Sequence, residues 1–128
     1  MERYLYCTAI PVLLDGGRTA GRVARQLYTR YGLVSHCFCP RRHPLTAIYT
    51  RRHAALTFTE ENDGVTLLLL RSFAVERRRD GGIPALIPCS PEAAAFLSRM
   101  GEALEEDYVL LTVPASGQNP LRELVRRV

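Results

Sequence analysis

From Ala9 to Leu14 the chain reads AIPVLL, an apolar run with little alternation, the pattern of a strand buried on both faces. The period then changes. Ala20, Val23, Ala24, Leu27, Tyr28 and Tyr31 recur at i, i+3, i+4, i+7, i+8 and i+11, with Arg18, Arg22 and Arg25 on the other side. That spacing predicts an amphipathic helix, and Gly32 ends it by supplying a left-handed cap position. Val34–Cys39 reads as a second apolar strand, stopped by Pro40. Strand, helix and strand together run to about thirty residues, the size of a βαβ crossover.

Arg41–His53 is an irregular basic stretch, with a short turn of helix expected near Leu45–Tyr49. Ala54–Thr59 alternates and is β-branched, so it is read as the third strand. After EENDG the pattern forks. Val65–Leu70 suits the return strand of a hairpin turned at Asn62–Asp63–Gly64, or a helix from Gly64 to Arg79 capped by Asp63. The helix is preferred, because the segment continues unbroken into basic residues before Gly81–Gly82 and is rich in unbranched Leu. Ile83–Pro88 is the fourth strand, with Pro84 near its start. Ser90 as N-cap, Pro91 at N1 and Ala93 at N3 open a helix with the stripe Ala93, Phe96, Leu97, Met100 and Leu104. Tyr108–Val113 is the fifth strand, 114–119 a loop, and 120–128 a short helix with Leu121, Leu124, Val125 and Val128 on one side. This order predicts one α/β domain over residues 1–128. It is a Rossmann-like three-layer fold with a mostly parallel sheet of about five strands and helices on both faces.

Composition removes several chemistries. All 17 basic residues are Arg, so a Lys Schiff base and a P-loop lysine are both excluded. The net charge of +4 is mild. The arginines are scattered, with clusters at Arg41–Arg42, Arg51–Arg52 and Arg77–Arg79 and no aromatic-and-basic recognition motif, so no nucleic-acid partner is expected. No apolar run is long enough to span a membrane, and the N-terminus lacks a convincing cleavage site, so a cytoplasmic location is expected. The four cysteines, Cys7, Cys37, Cys39 and Cys89, match no zinc spacing and are read as buried free thiols. Cys37 and Cys39 are assigned to opposite faces of a strand and so excluded as a redox pair.

In an open α/β sheet, ligands bind beyond the carboxyl ends of the strands. Four loops fall there: Asp15–Thr19, Pro40–His43, Cys89–Ser90 and 114–117. In the first, Gly16 and Gly17 allow a tight turn, and the helix behind offers free N–H groups to an anion. The glycines fit neither phosphate-binding template, since Arg18 stands where G-x-G-x-x-G needs its second Gly and Arg22 where a P-loop needs Lys. A turn that holds no ligand therefore stays open beside a turn that holds one. Arg41 and Arg42 occupy the place where an enzyme selecting NADP puts Arg; solvated or salt-bridged side chains are the alternative. The candidate binding residues are Asp15, Gly16, Gly17, Arg18, Thr19, Arg41, Arg42 and Ser90. His36, His43 and His53 lie in different elements, so no catalytic constellation and no metal site is assigned.

The stretch IPVLLDGGRTAGRVARQLYTRYGLVSHCF resembles the opening of ATP-grasp carboxylate–amine ligases, particularly the D-aspartate-ligase-like group. There a strand ends in a Gly-rich turn and a helix closes with an Ala-Arg-x-Tyr-x-x-Tyr-Gly type ending, matched here by Ala24, Arg25, Leu27, Tyr28, Tyr31 and Gly32. The later segment is similar to the family's closing piece at Ile87–Pro88–Cys89, at Leu104–Tyr108 and at Val113–Pro114. The resemblance covers nearly the whole chain but only the family's N-terminal, pre-ATP-grasp domain. It implies a Rossmann-like unit on the acceptor-substrate side of a ligase cleft, with Asp15–Thr19 as a substrate-side loop. ATP and magnesium are implied only for a complete ligase, so no cofactor is assigned to this chain. The expected partners are a small molecule, an ATP-grasp protein or a second copy of the chain. The leading expectation is a non-catalytic accessory module. The alternatives are a Rossmann-type binder of NADP or ATP and a homo-oligomeric interaction protein, the last suggested by the apolar Gly64–Arg79 helix.

Overall fold

The computed structural model describes residues 9–40 and 49–111. In chain order the elements are β1 (Ala9–Leu14), α1 (Arg18–Tyr31), β2 (Ser35–Phe38), β3 (Thr50–Ala54), α2 (Asp63–Arg79), β4 (Ile83–Pro88), α3 (Pro91–Leu104) and β5 (Val109–Leu110), with a 3₁₀ turn at Glu60–Asn62 before α2. The five strands form one sheet in the order β3-β2-β1-β4-β5, and every pairing is parallel. This is the Rossmann-like α/β architecture that the element order implies.

β1 is the central strand, and its side chains divide between two cores. Leu13 goes to the cluster under α1, with Ala20, Val23, Ala24, Leu27, Cys37 and Ile87. Val12 and Leu14 go to the other, with Phe38, Leu70, Phe73, Leu86, Phe96 and Leu104 under α2 and α3. A strand covered on both faces needs apolar residues at every position, which is why AIPVLL does not alternate. Gly32 closes α1 at φ 69, donating its N–H to the Tyr28 carbonyl at 2.9 Å, while Leu33 donates to Leu27. Ser90 caps α3 by accepting the Ala93 N–H at 3.0 Å, with Pro91 just inside. The buried Tyr108 hydroxyl donates to the Leu70 carbonyl and fastens α2 to the approach to β5.

Several expectations need correction. The third strand is Thr50–Ala54 rather than Ala54–Thr59. The alternation after Ala54 reflects Leu56 and Phe58, which are buried against the α2–α3 core as extended chain without ladder pairing. TRRHA is an edge strand whose charge suits an exposed edge and hides its β character. The preferred helix is present as α2, which takes in Val65–Leu70 and excludes the alternative hairpin. Asp63 does not cap that helix: Asn62 stands at the cap without a side-chain bond, and Asp63 begins the first turn. Cys37 and Cys39 share one face, with sulfurs 3.4 Å apart, because residues two apart on a strand point the same way. The second strand is also shorter than Val34–Cys39 by a residue at each end. The fifth strand is Val109–Leu110, with Tyr108 and Leu111 outside the ladder. The expected turn at 45–48, residues 112–113, the 114–119 loop and the final helix lie outside the described residues.

Candidate functional site

The strand order reverses between β1 and β4, since one crossover leads from β1 to β2 and a later one returns to β4 on the other side. At such a switch point the loops leaving the two strands diverge and leave a crevice beyond their carboxyl ends. Here the loops are tied by backbone bonds. Cys89 donates its N–H to the Leu14 carbonyl at 2.9 Å, and Asp15 donates to Phe38 at 2.9 Å. The structure thus brings Asp15–Thr19 and Ser90 to one end of the sheet. Arg41 and Arg42 lie outside the described residues.

The turn is made differently from the expectation. Asp15, not either glycine, takes the left-handed conformation, at φ 84. Gly17 is extended at φ −78, and a Cβ there would meet nothing within 4 Å. A non-glycine residue at positive φ is strained, and aspartate tolerates it because its carboxylate can bond locally. Asp15 Oδ1 accepts the Gly16 N–H at 2.9 Å. α1 starts with no side-chain cap and no acid in its first turn, whereas Ser90 satisfies the start of α3 with its own hydroxyl. The first-turn N–H groups of α1 therefore offer the positive end of a helix dipole at the carboxyl end of the sheet. Arg18 is exposed and Thr19 half-buried at the same end. Cys89 sits below, and burial, with the Asp15 charge, pushes its thiol up to about 12, so it is protonated and inert as a nucleophile at neutral pH.

A second cluster was missed by sequence reasoning. His36 of β2 and His53 of β3 stand side by side, with His36 Nδ1 and His53 Nε2 at 2.5 Å and ring centroids 4.7 Å apart. β3 carries an extra residue here: Cys37 is opposite Arg52 and Phe38 opposite Ala54, so His53 is the bulged position. Bulges re-aim side chains. Phe73 of α2 packs against both imidazoles, Phe38 against His53, and the Arg77 guanidinium lies 4.8 Å above the Phe73 ring. Burial, then His53, Arg77 and Arg51, hold the His36 imidazole down to about 4. His53 is lowered by burial and the same two arginines. The two histidines are separate in sequence and become a pair through parallel strand pairing. Placing Arg51 and His53 on one strand, opposite His36 and Phe38, would have been the signal.

An open cleft of about 310 Å³ lies at the opposite end of the sheet, lined by Arg78, Gly82, Pro84, Glu106, Asp107 and Tyr108 among others. Its charges satisfy one another: Arg78 donates to the Glu106 carbonyl at 2.9 Å and pairs with Asp107 at 3.4 Å, and Arg71 reaches Asp107 at 3.7 Å. The switch point, at the carboxyl ends of the strands where the order reverses, is the preferred candidate despite this cleft's size. Asp63 is likewise engaged, since Arg99 donates Nε and Nη2 to its two oxygens at 2.7 and 2.9 Å and holds the carboxyl below the usual range. Among the described residues no group of three or more His, Cys, Asp or Glu stands where it could hold a metal ion, and no helix is long and apolar enough to cross a membrane. Compared with known proteins, the chain matches no family model, no curated protein and no solved structure.

Proposed function

We propose that this chain is a cytoplasmic small-ligand-binding module, similar to the pre-ATP-grasp domain of ATP-grasp carboxylate–amine ligases, without catalysis of its own. The observation that carries the reading is the meeting of the Asp15–Thr19 turn and the Ser90 helix start where the strand order reverses. The acids support the non-catalytic part. Asp15 has its carboxylate on the Gly16 N–H, Asp63 is held by Arg99, and Asp107 lies at the far end of the sheet with Arg71 and Arg78. Acyl-phosphate chemistry needs carboxylates that hold magnesium and cations aimed at the phosphates. Two measurements on the purified chain test this together: thermal shift with amino acids including D-aspartate, ATP–magnesium, NADPH and NADH, and phosphate release from ATP. A ligand at a hundred times its dissociation constant stabilises by about 2.7 kcal/mol, so a shift with a carboxylate or amine ligand is expected. Phosphate release should not exceed that of a Gly16→Val/Gly17→Val variant. A shift with NADPH alone would hand the crevice to the Rossmann-type dinucleotide reading. No shift with any ligand would remove both.

A second copy as partner is favoured by a separate observation. Val65 and Leu68 of α2 are 60% and 67% exposed, and Leu69 and Val75 continue the apolar stripe. Exposed apolar surface of this kind marks an interaction face. The helix is also charge-segregated, with Glu60 and Glu61 before it and Arg77, Arg78 and Arg79 at its end. An antiparallel copy centred on Leu69–Arg71 sets Val65 against Val75, Leu68 against Ser72 and Glu61 against Arg79, the self-complementarity a twofold interface requires. Sedimentation should give a dimer that Leu68→Arg dissociates; a monomer at high concentration would end this reading.

A further inference from the structure

We propose that His36, His53, Arg51 and Arg77 form a binding site for a phosphate-type dianion on the α2 side of the β2–β3 edge. This site is separate from the switch-point crevice and does not depend on the reading given to it. Three elements supply it. His36 and Arg51 are register partners on β2 and β3, His53 is turned in by the bulge, and Arg77 comes from the last turn of α2. Phe73 underlies the group, packing against both imidazoles and carrying the Arg77 guanidinium on its face.

The fixed charges around the two imidazoles are all positive. Besides each other, the charged groups acting on the two imidazoles are Arg77 and Arg51, and among the described residues no carboxylate opposes them. Elsewhere Arg99, Arg78 and Arg71 have carboxylate partners, whereas neither Arg51 nor Arg77 forms an ion pair among the described residues. Two guanidinium groups held beside two imidazoles without a counter-ion repel each other and oppose protonation of the imidazoles. An oxyanion removes that cost and accepts charge-assisted hydrogen bonds from guanidinium and imidazolium N–H groups.

The geometry separates an anion from a cation. Two nitrogens 2.5 Å apart are too close to ligate one ion at the ~2.0–2.1 Å of a zinc–imidazole bond with an open tetrahedral angle, and the arginines repel a cation. At that spacing one nitrogen holds a proton and the other its lone pair. A dianion placed against the pair stabilises added protons on it. Binding therefore takes up protons, and affinity rises as pH falls toward the range where the free imidazoles protonate.

The test is an NMR titration of the histidine ring resonances of the full chain in sulfate, against chloride at equal ionic strength. Sulfate stays a dianion across the range, so any pH dependence belongs to the protein. Inorganic phosphate and methyl phosphate then report whether a free or an esterified group is preferred. Sulfate should raise the titration midpoints of His36 and His53, and its affinity should increase several-fold per pH unit between pH 7 and pH 5. Arg51→Gln, at an exposed side chain, should weaken binding at least several-fold with the fold intact, and Arg77→Gln should do the same. Arg30→Gln, at the exposed end of α1, should change nothing. Histidine midpoints identical in sulfate and chloride, or sulfate affinity unaltered in Arg51→Gln, would overturn the proposal.

Discussion

The switch-point loops and the β2–β3 edge carry the two sets of polar groups of interest, and they are assembled in opposite ways. At the switch point the offered groups are backbone: uncapped N–H groups at the start of α1, a left-handed Asp15 and a capped α3, all set within a few residues of each strand end. At the edge the groups are side chains from β2, β3 and α2, and nothing holds them together except tertiary pairing. A site made of backbone is robust to side-chain changes and indifferent to pH. A site made of imidazoles and guanidinium groups is the reverse.

The largest expected effect falls on the edge. Phe73 is buried and touches Phe38, both histidines and Arg77. Phe73→Ala should cost about 3–5 kcal/mol in urea unfolding, the range for removing a buried phenylalanine ring. The His36 midpoint should rise toward 6.5 as water enters. A loss below 1 kcal/mol would mean that the aromatic packing does not hold the cluster.

At the switch point the decisive variable is backbone conformation. Asp15→Ala puts a Cβ without a local acceptor at positive φ and should cost about 1–2 kcal/mol. Asp15→Gly relieves the strain and should stay within about 0.5 kcal/mol of wild type in the same assay. Equal losses in the two would assign the effect to the carboxylate instead.

The pH response should separate the regions directly. His36 titrates near 6.5 unfolded and about 4 folded. Between those values the unfolded chain binds a proton that the folded one does not, so stability is full above 6.5 and is lost as pH falls toward 4. Allowing for solvent screening of a half-exposed ring, the loss is on the order of 1–2 kcal/mol. Below that range Asp63, whose carboxyl is held low by Arg99, adds a further loss in the same direction. Denaturation midpoints from pH 8 down to pH 3 check this, and His36→Gln should flatten the upper part of the curve. The smallest effect is at the α3 cap, where Ser90→Ala removes the acceptor of the Ala93 N–H and should cost about 1 kcal/mol with no pH dependence.

What the sequence displays follows the same division. β1, α1, β4 and α3 are legible because their signals are local: an unbroken apolar run, a period of 3.6, Gly32 at a helix end, Ser-Pro at a helix start. The meeting of the Asp15–Thr19 turn with the Ser90 helix start is legible because strand ends and loops define it. β3 is not, because TRRHA is a polar edge strand and the better-looking alternation beside it packs without pairing. The histidine pair is invisible until residues seventeen positions apart are aligned in parallel register with a bulge. The tight turn is half legible: the glycines mark its place, but the strained residue is Asp15.

The most direct measurement is a backbone amide NMR map of the full chain titrated with D-aspartate, other amino acids and ATP–magnesium. A ligand of the switch-point crevice should shift the amides of Asp15–Thr19 and Cys89–Ala93 together, leaving those of Gly82 and Glu105–Tyr108 at the far end unmoved. Saturating shifts at the far end, with the Asp15–Thr19 and Cys89–Ala93 amides silent at millimolar ligand, would contradict the placement of the site.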